Sequence, residues 1–377
     1  LRLKLKDRIR GEKLVKPNLR FKEFNEEYKK YKIGNTLKVK SGKDKKLIEC
    51  MDGRYPILGT GGKIGTTNNF LYDKPSVLIG RKGTINKPQY MTTPFWTVDT
   101  LFYTDIKKGF NTKYIFYAFQ NINWKKYDES TGVPSLSSKT IEEISYYIPN
   151  KNEQDKVSAF FTLLDKKIEL QKRKVDALKI YKKGLIQKLY DQKYNNKIKM
   201  KNIIKQKSIR NTNNEIKDIY SVNNKDGFVL QADQFKDRIV ASEDTTNYKI
   251  VKKDYFAYNP ARINVGSIAR MKHEKIGIIS PMYICFECKN NVLPEYLEYF
   301  FETDIFTYEM KKRLEGSVRM CLSYESMLNI PINLPDIIQQ ERISKVLNEV
   351  DKRINCEEIK YDYQQKLKDG LLQKMFI

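Results

Sequence analysis

Residues 148–190 and 334–376 of this chain are two copies of one segment. IPNKNEQDKVSAFFTLLDKKIELQKRKVDALKIYKKGLIQKLY aligns without a gap on LPDIIQQERISKVLNEVDKRINCEEIKYDYQQKLKDGLLQKMF. Pro149 falls on Pro335, Gln154 on Gln340, Asp165-Lys166 on Asp351-Lys352, and Gly184-Leu185 with Gln187-Lys188 on Gly370-Leu371 with Gln373-Lys374, all at an offset of 186 residues. Solenoid and propeller units recur about every 20–50 residues, so a period this long is no stacked array. Each copy follows an unlike stretch that fills most of the remaining period. Any fold must therefore present two different regions on two similar supports.

The supports read as long helices. Phe161, Leu164, Ile168, Val175, Leu178, Leu185 and Leu189 recur at helical spacing in the first copy, with Gln171 and Lys182 interrupting the seam. A helix from Glu153 to Tyr190 would be about 57 Å long, too long for a small domain to wrap, so it needs a partner helix. The second copy supplies Leu347, Val350, Ile354, Tyr361, Leu371 and Met375, interrupted by Glu357, Gln364 and Lys368. The two copies are expected to pack antiparallel, with the unlike regions at opposite ends. Ile148-Pro149 and Leu334-Pro335 end a strand, because proline has no amide to donate, and 150–154 and 336–340 offer helix caps.

The unlike regions, about 20–147 and 200–333, alternate β-type runs with glycines: Ser76 to Ile79, Trp96 to Tyr103 and Ile276 to Glu287. Each also holds an aromatic helical piece, at 113–121 and 295–303. The polar stretch 191–201 reads as a linker.

Lys and Arg total 71 against 46 Asp and Glu, a net charge of +25, which on an aromatic-rich chain points to a polyanion such as nucleic acid. The plain alternative is a lysine-rich solubility surface. Mean hydropathy is −0.63, no run approaches the roughly 18 apolar residues of a membrane span, and the basic opening lacks the apolar core of a signal peptide. A cytoplasmic protein with no membrane association is expected. Because the chain begins at Leu1 and not Met, its natural start is expected upstream. Five cysteines and one histidine predict reduced, mostly buried thiols and no zinc site; Cys285 and Cys288 fall in one strand-like run.

Three glycine-bearing segments of the first region combine backbone freedom with donors. Tyr55 to Thr67 could bring amides to a phosphate or base edge. It is no NTPase loop, since Ile64 follows Gly62-Lys63 where a Ser or Thr would hold Mg²⁺. Gly80 to Lys87 has an expected counterpart in Pro260 to Arg270, matched through Gly83-Thr84-Ile85 and Gly266-Ser267-Ile268. Arginine can read guanine bidentately and asparagine adenine, while lysine grips phosphate. Ser130 to Lys139 stands at the repeat offset from Gly316 to Ser323, with Leu136 on Leu322. Ordinary surface turns and Ser/Thr helix caps are the plain readings of all three.

Catalytic motifs are scarce. Asn259-Pro260 continues into Ala261-Arg262 and not into an amino-methyltransferase tetrapeptide. A nuclease-like pair can be assembled from Asp336 and Glu358, yet the first copy has Asn150 and Lys172 there. With His273 alone, a Ser or Cys triad has no base. A nuclease using Asp336 and Glu358, and a scaffold built on the coiled coil, remain the competing classes.

The ends KKGLIQKLY and KDGLLQKMF, the PNLRF opening at 17–21 and the paired Gly/Ser/Leu-Ser segments resemble the specificity (S) subunit of type I restriction-modification systems. The resemblance implies an α+β chain in which two mixed α/β target-recognition domains are separated by two long antiparallel helices in a coiled coil, with a pseudo-twofold internal repeat. The implied order is a first target-recognition domain at 1–147, a central conserved region at 148–193, a second target-recognition domain at 194–333 and a distal conserved region at 334–377. It further implies a non-catalytic subunit. Each domain would bind half of a bipartite double-stranded DNA site, and the helices would set the spacer. Two methyltransferase subunits would dock, and restriction/translocase subunits could join. S-adenosylmethionine, ATP and Mg²⁺ belong by this resemblance to those partners, and none to this chain. The expected DNA contacts are Lys63, Arg81, Lys82, Lys87, Ser135 and Lys139 in the first half, and Arg262, Asn264, Arg270, Lys272 and Arg319 in the second. The expected helix contacts with partners are Phe161, Leu164, Ile168, Leu185, Leu189, Leu347, Val350, Ile354, Leu371 and Met375.

Overall fold

The computed structural model describes residues 3–5, 15–192, 194, 196–234, 244–316 and 320–377, with 3–5, 233 and 234 as backbone alone. The chain forms two compact units, residues 1–172 with 359–377 and residues 173–358. Each is α+β.

In the first unit, four antiparallel strands lie in the order Leu37–Lys40, Leu101–Ile106, Ser76–Gly80 and Gln89–Met91. Ser76–Gly80 is buried along its whole length, as a continuous apolar run at the centre of a sheet should be. A second sheet runs Trp96–Thr97, Tyr55–Gly59, Gly62–Thr67 and Glu49–Cys50, its first two strands parallel. A two-stranded ribbon pairs Lys29–Lys32 with Ser145–Ile148. The second unit repeats the antiparallel sheet, and the hairpin with its parallel neighbour, on dissimilar sequence, while the fourth strand of the other sheet joins the opposite edge. Ile204–Lys207, Ile284–Cys288, Phe256–Tyr258 and Ile268–Arg270 form the antiparallel sheet. Gly227–Leu230, Ile219–Asn223, Gly277–Ile279 and Lys249–Val251 form the other, again with one parallel pair.

Three expectations change. Trp96 to Tyr103 and Ile276 to Glu287 are each two strands, because turns closed by Leu101 N to Val98 O and Tyr283 N to Ser280 O break them. The supposed linker 191–201 contains the strand Lys197–Lys199, which pairs with Pro331–Asn333 in a register that buries Met200 nearby. Ile198 opposite Ile332 supplies the apolar contact that its polar neighbours hid.

The long helices are Lys151–Tyr190, 40 residues, and Ile337–Met375, 39 residues. Asn150 Oδ1 accepts from Glu153 N at 3.0 Å and Asp336 Oδ1 from Gln339 N at 2.8 Å, so both starts are capped as expected. Gln154 Nε2 donates to Pro149 O at 3.0 Å while its Oε1 accepts from Asn111 N at 2.9 Å. Gln340 does the same with Pro335 O, at 2.9 Å, and Leu293 N, at 2.8 Å.

Within each unit the segments of the two helices run antiparallel. In the first, Phe161 meets Phe376, with ring centroids 5.8 Å apart, and Asp165 meets Lys368 at 2.7 Å. In the second, Lys174 meets Glu357 at 2.9 Å and Lys182 meets Asp351 at 2.8 Å. The polar seam interruptions at Lys182, Glu357 and Lys368 are therefore ion pairs. Phe161, Leu164, Leu371 and Met375 pack in the first core, Leu185, Leu189 and Leu347 in the second, while Ile168 and Ile354 are buried and Val350 is half-buried. As a surface for another subunit these residues are mostly unavailable, a correction with a simple origin. Heptad spacing marks a buried stripe without saying whose atoms bury it, and here the chain's own do.

Candidate nucleic-acid interface

In the first unit the three glycine-bearing segments converge. The hairpin Tyr55–Gly59 and Gly62–Thr67 turns at Gly62, whose φ of +111° lies in the region that glycine adopts without strain. Gln89 Nε2 ties that turn down by donating to Gly59 O at 3.0 Å and Thr60 O at 3.3 Å. Immediately after the buried strand Ser76–Gly80, Arg81 N donates to Thr100 O, and the guanidinium donates to Asp99 O at 3.3 Å, 5.8 Å from the Phe102 ring centroid. The third segment lies against the second: Leu136 N donates to Arg81 O at 2.9 Å, Gly83 N to Pro134 O at 2.8 Å, and Lys82 bridges Ser135. Asp128 Oδ1 holds this loop by accepting from Ser130 N, Ser130 Oγ and Ser135 N, bonds that lower its carboxyl below the usual range. Ser137 then caps the helix Ser138–Glu143, which carries Lys139.

Lys63, Lys82, Lys87 and Lys139 are exposed and form no ion pair among the described residues, so their charges remain available to an anion. Ser135 and Arg81 are half-buried, placed by the bonds just given. Sequence reasoning missed Asp128, the organiser of the loop, because an acid beside serines carries no sign of what it accepts.

The second unit assembles the corresponding elements. Leu322 N donates to Pro260 O at 3.1 Å, the counterpart of Leu136 on Arg81. Asn259 N donates to Ser267 O, Ser267 N to Arg262 O, and Ser267 Oγ to Val222 O beside the hairpin turn 223–227. Arg262 and Asn264 stand exposed on this loop. The proposed match of Gly83-Thr84-Ile85 with Gly266-Ser267-Ile268 does not hold in space. Ile263, buried in the core, fills the place of buried Ile85, whereas Ile268 opens the strand equivalent to Gln89–Met91. The second loop reaches its buried isoleucine in fewer residues, which a string match cannot see.

Arg270 departs from expectation. Its side chain is 9% exposed and bonds Asp254 at 2.7 Å, Glu295 at 2.5 Å and Glu298 at 2.9 Å, so it braces the domain from inside. Although burial pulls the other way, these carboxylates raise the guanidinium above its ordinary value. Lys272 keeps 62% exposure while pairing with Glu298 at 2.8 Å, and the His273 ring stacks on Tyr220. Arg319 lies outside the described residues.

Chemistry-bearing groups elsewhere have structural duties. Asp336 caps a helix, and Glu358 pairs with Lys179 at 2.6 Å. Among the described residues no cluster of His, Cys, Asp or Glu could hold a metal ion. The cysteines are less buried than expected: Cys285 is buried, Cys50, Cys288 and Cys321 are half-buried, and Cys356 is exposed on a helix. Burial pushes the Cys285 and Cys288 thiols up to about 12. No helix among the described residues is long and apolar enough to cross a membrane.

Residues 25–179 match the family described as the type I restriction modification DNA specificity domain. These residues belong to that family. They comprise the first converging loop set and most of the first long helix. A chain named as a type I specificity subunit in Mycoplasma pneumoniae is 26% identical over 178 residues, covering 42% of this chain and 52% of that one. The specificity subunit of the MjaX type I restriction enzyme of Methanocaldococcus jannaschii is 24% identical over 144 residues, 36% of this chain and 33% of that one. The matched stretches thus span about half the length of these relatives or less. The crystal structure of a type I restriction-modification S subunit from M. genitalium superposes with a TM-score of 0.63 over 96% of this chain and 99% of that one, at 16% identity. A chain from a structural study of complex assembly in a type I system gives 0.56 over 92% and 97%, at 8% identity. The specificity-subunit fold thus extends well beyond the stretch matched by sequence.

Proposed function

We propose that this chain is the non-catalytic DNA-specificity subunit of a type I restriction-modification complex, each unit reading one half of a split duplex target. One observation carries the reading: in each unit an antiparallel sheet of the same strand order, with its neighbouring hairpin, brings the corresponding three loops together, and the side chains displayed there differ. A common scaffold with unlike tips suits two unlike half-sites. Lys63, Lys82, Lys87, Lys139 and Lys272 would grip phosphates, and Arg81, Ser135, Arg262 and Asn264 would stand nearest base edges. Arg319 is kept as a contact by resemblance.

The paired helices would set the spacer between half-sites and dock two methyltransferase subunits, with restriction/translocase subunits joining that assembly. S-adenosylmethionine, ATP and Mg²⁺ would be bound by those partners. The outward faces of the helices support docking, for they expose Leu163 and Leu170 in the first unit, Ile180 and Tyr181 in the second.

The test is methylation mapping in cells that express the chain with an adenine methyltransferase. A split adenine motif that vanishes without this chain is expected. Arg81→Glu should abolish preference in one half and Arg262→Glu in the other. A motif indifferent to the chain would reject the proposal, and absence of DNA binding at low salt would favour a protein scaffold.

A further inference from the structure

Each sheet domain is tied to both long helices by a trio of side chains. In the first unit the Tyr117 hydroxyl donates to Asp165 at 2.7 Å, and Lys368 Nζ, 2.7 Å from Asp165, lies 5.8 Å from the Tyr117 ring centroid. In the second, Tyr299 donates to Asp351 at 2.7 Å, and Lys182 Nζ, 2.8 Å from Asp351, lies 5.1 Å from the Tyr299 ring centroid. Within each trio the aspartate comes from one copy of the repeat and the lysine from the other, and Asp165 with Asp351 and Lys182 with Lys368 each stand at the repeat offset. The tyrosines come from the helices Thr112–Gln120 and Pro294–Phe300, inside the regions that otherwise differ.

The trios are well enclosed. Tyr117 and Tyr299 are buried, and the Lys368 and Lys182 side chains are only 15% and 16% exposed. A cation so covered requires its carboxylate. In the second trio the Tyr299 hydroxyl also reaches Asn348 Oδ1 at 2.7 Å and Lys182 also pairs with Glu302 at 3.0 Å, while beside the first Tyr117 packs on Phe161 with centroids 5.1 Å apart, a non-directional contact. Hydrogen bonds, by contrast, weaken steeply when misaligned. One aspartate therefore fixes three elements at once: the domain's helix and both long helices.

We infer that Tyr117–Asp165–Lys368 and Tyr299–Asp351–Lys182 are positioning joints that set how each recognition domain stands on the helices and so restrict the half-site spacing accepted. The inference rests on the proposed reading of a split target. None of the six side chains is assigned a DNA contact. A domain whose joint loosens keeps its loops, and hence its base preference, while accepting its half-site in more than one position.

The experiment uses the full chain with its methyltransferase on a duplex library holding the two half-sites at the native spacing and at one or two base pairs either side. Tyr117→Phe, Asp165→Asn and Asp351→Asn are expected to raise methylation at wrong spacings about tenfold, the scale of one charged hydrogen bond, with half-site bases unchanged. Lys352→Ala, which removes an exposed pair with Glu349, should leave the profile alone. If Asp165→Asn does not fold, Tyr117→Phe, which deletes one oxygen, decides the first joint. An unchanged spacing profile despite a lowered Tm would overturn the inference, reducing the trios to braces, and altered half-site bases would overturn it in favour of direct reading. If the unmodified chain shows no split motif, the functional proposal fails first. The joint then stands or falls on amide exchange in Asp165→Asn, which should quicken about tenfold across 112–120 and not at 219–223.

Discussion

The two units share one skeleton and differ in how they hold it. At the start of its long helix the first unit buries a charge: Glu153 accepts from Arg20 Nε at 2.8 Å, Arg20 Nη2 at 2.6 Å and the Tyr28 hydroxyl at 3.0 Å. The second copy has Gln339, half-buried, at that position. The second unit encloses a charge elsewhere, the Arg270 guanidinium, which three partly exposed carboxylates hold. In the first unit, the strand equivalent to that of Arg270 instead uses neutral Gln89 to tie the hairpin turn. What recurs is the helix start held by Gln154 or Gln340 and the Tyr–Asp–Lys trio. The difference teaches that the shared skeleton is defined by a few directional bonds at the helix junctions, while the polar interior of each sheet domain is free to vary provided that each buried charge is paired.

The sharpest way to break this comparison is at Glu153. Glu153→Ala strands Arg20 in a buried site and should destabilise the first unit by about 3–5 kcal/mol, while Gln339→Ala should cost under about 1 kcal/mol. Denaturant unfolding that found equal losses would erase the asymmetry. Next, Arg270→Ala should cost about 2–3 kcal/mol with half-site preference retained in whatever remains folded. Arg262→Ala should change stability by less than about 0.5 kcal/mol and weaken DNA binding. The reverse pattern would return Arg270 to the interface.

The trios offer a finer contrast. Lys182 also pairs with Glu302 at 3.0 Å, and Lys368 has no such second carboxylate among the described residues, so Lys182→Ala should cost about 2 kcal/mol and Lys368→Ala about 1 kcal/mol by thermal unfolding. The smallest effect is a pH dependence. Burial, then the hydrogen bond to Asp165 or Asp351, raises the Tyr117 and Tyr299 hydroxyls above their ordinary 10.0. Because the folded value lies above the unfolded one, this contribution is whole below about pH 10 and is lost as pH rises beyond it. Tyr117→Phe and Tyr299→Phe should therefore show a shallower fall in Tm between pH 9 and 11 than the unmodified chain, and parallel curves would reject the assignment.

Much of the fold was legible because it is written in periodicity. The long helices, their capped starts and the buried strand Ser76–Gly80 follow from spacing and from proline, glycine and short polar side chains acting locally. The candidate loops were found for the same reason, since glycine and hydroxyl residues mark turns. What escaped notice depended on partners distant in sequence. Arg270 has the composition of a base reader and the surroundings of a buried brace, and only Asp254, Glu295 and Glu298 distinguish the two. Asp128 gave no signal before Ser135 was placed against it. The seam residues were identified correctly as a buried stripe, but the occupant of the facing groove was not in the pattern.

The amino-acid sequence by itself determined that there are two copies of one long helix, two unlike regions before them and a strongly cationic surface, because repeats, heptads and net charge are properties of the chain alone. Tertiary structure decided which cations stay free. It also decided that loops far apart in the chain share one face, and that Tyr117 and Tyr299 meet Asp165 and Asp351. The physical reason is that pairing and burial depend on through-space neighbours, and a charge becomes a brace or a contact only when the fold determines what stands beside it.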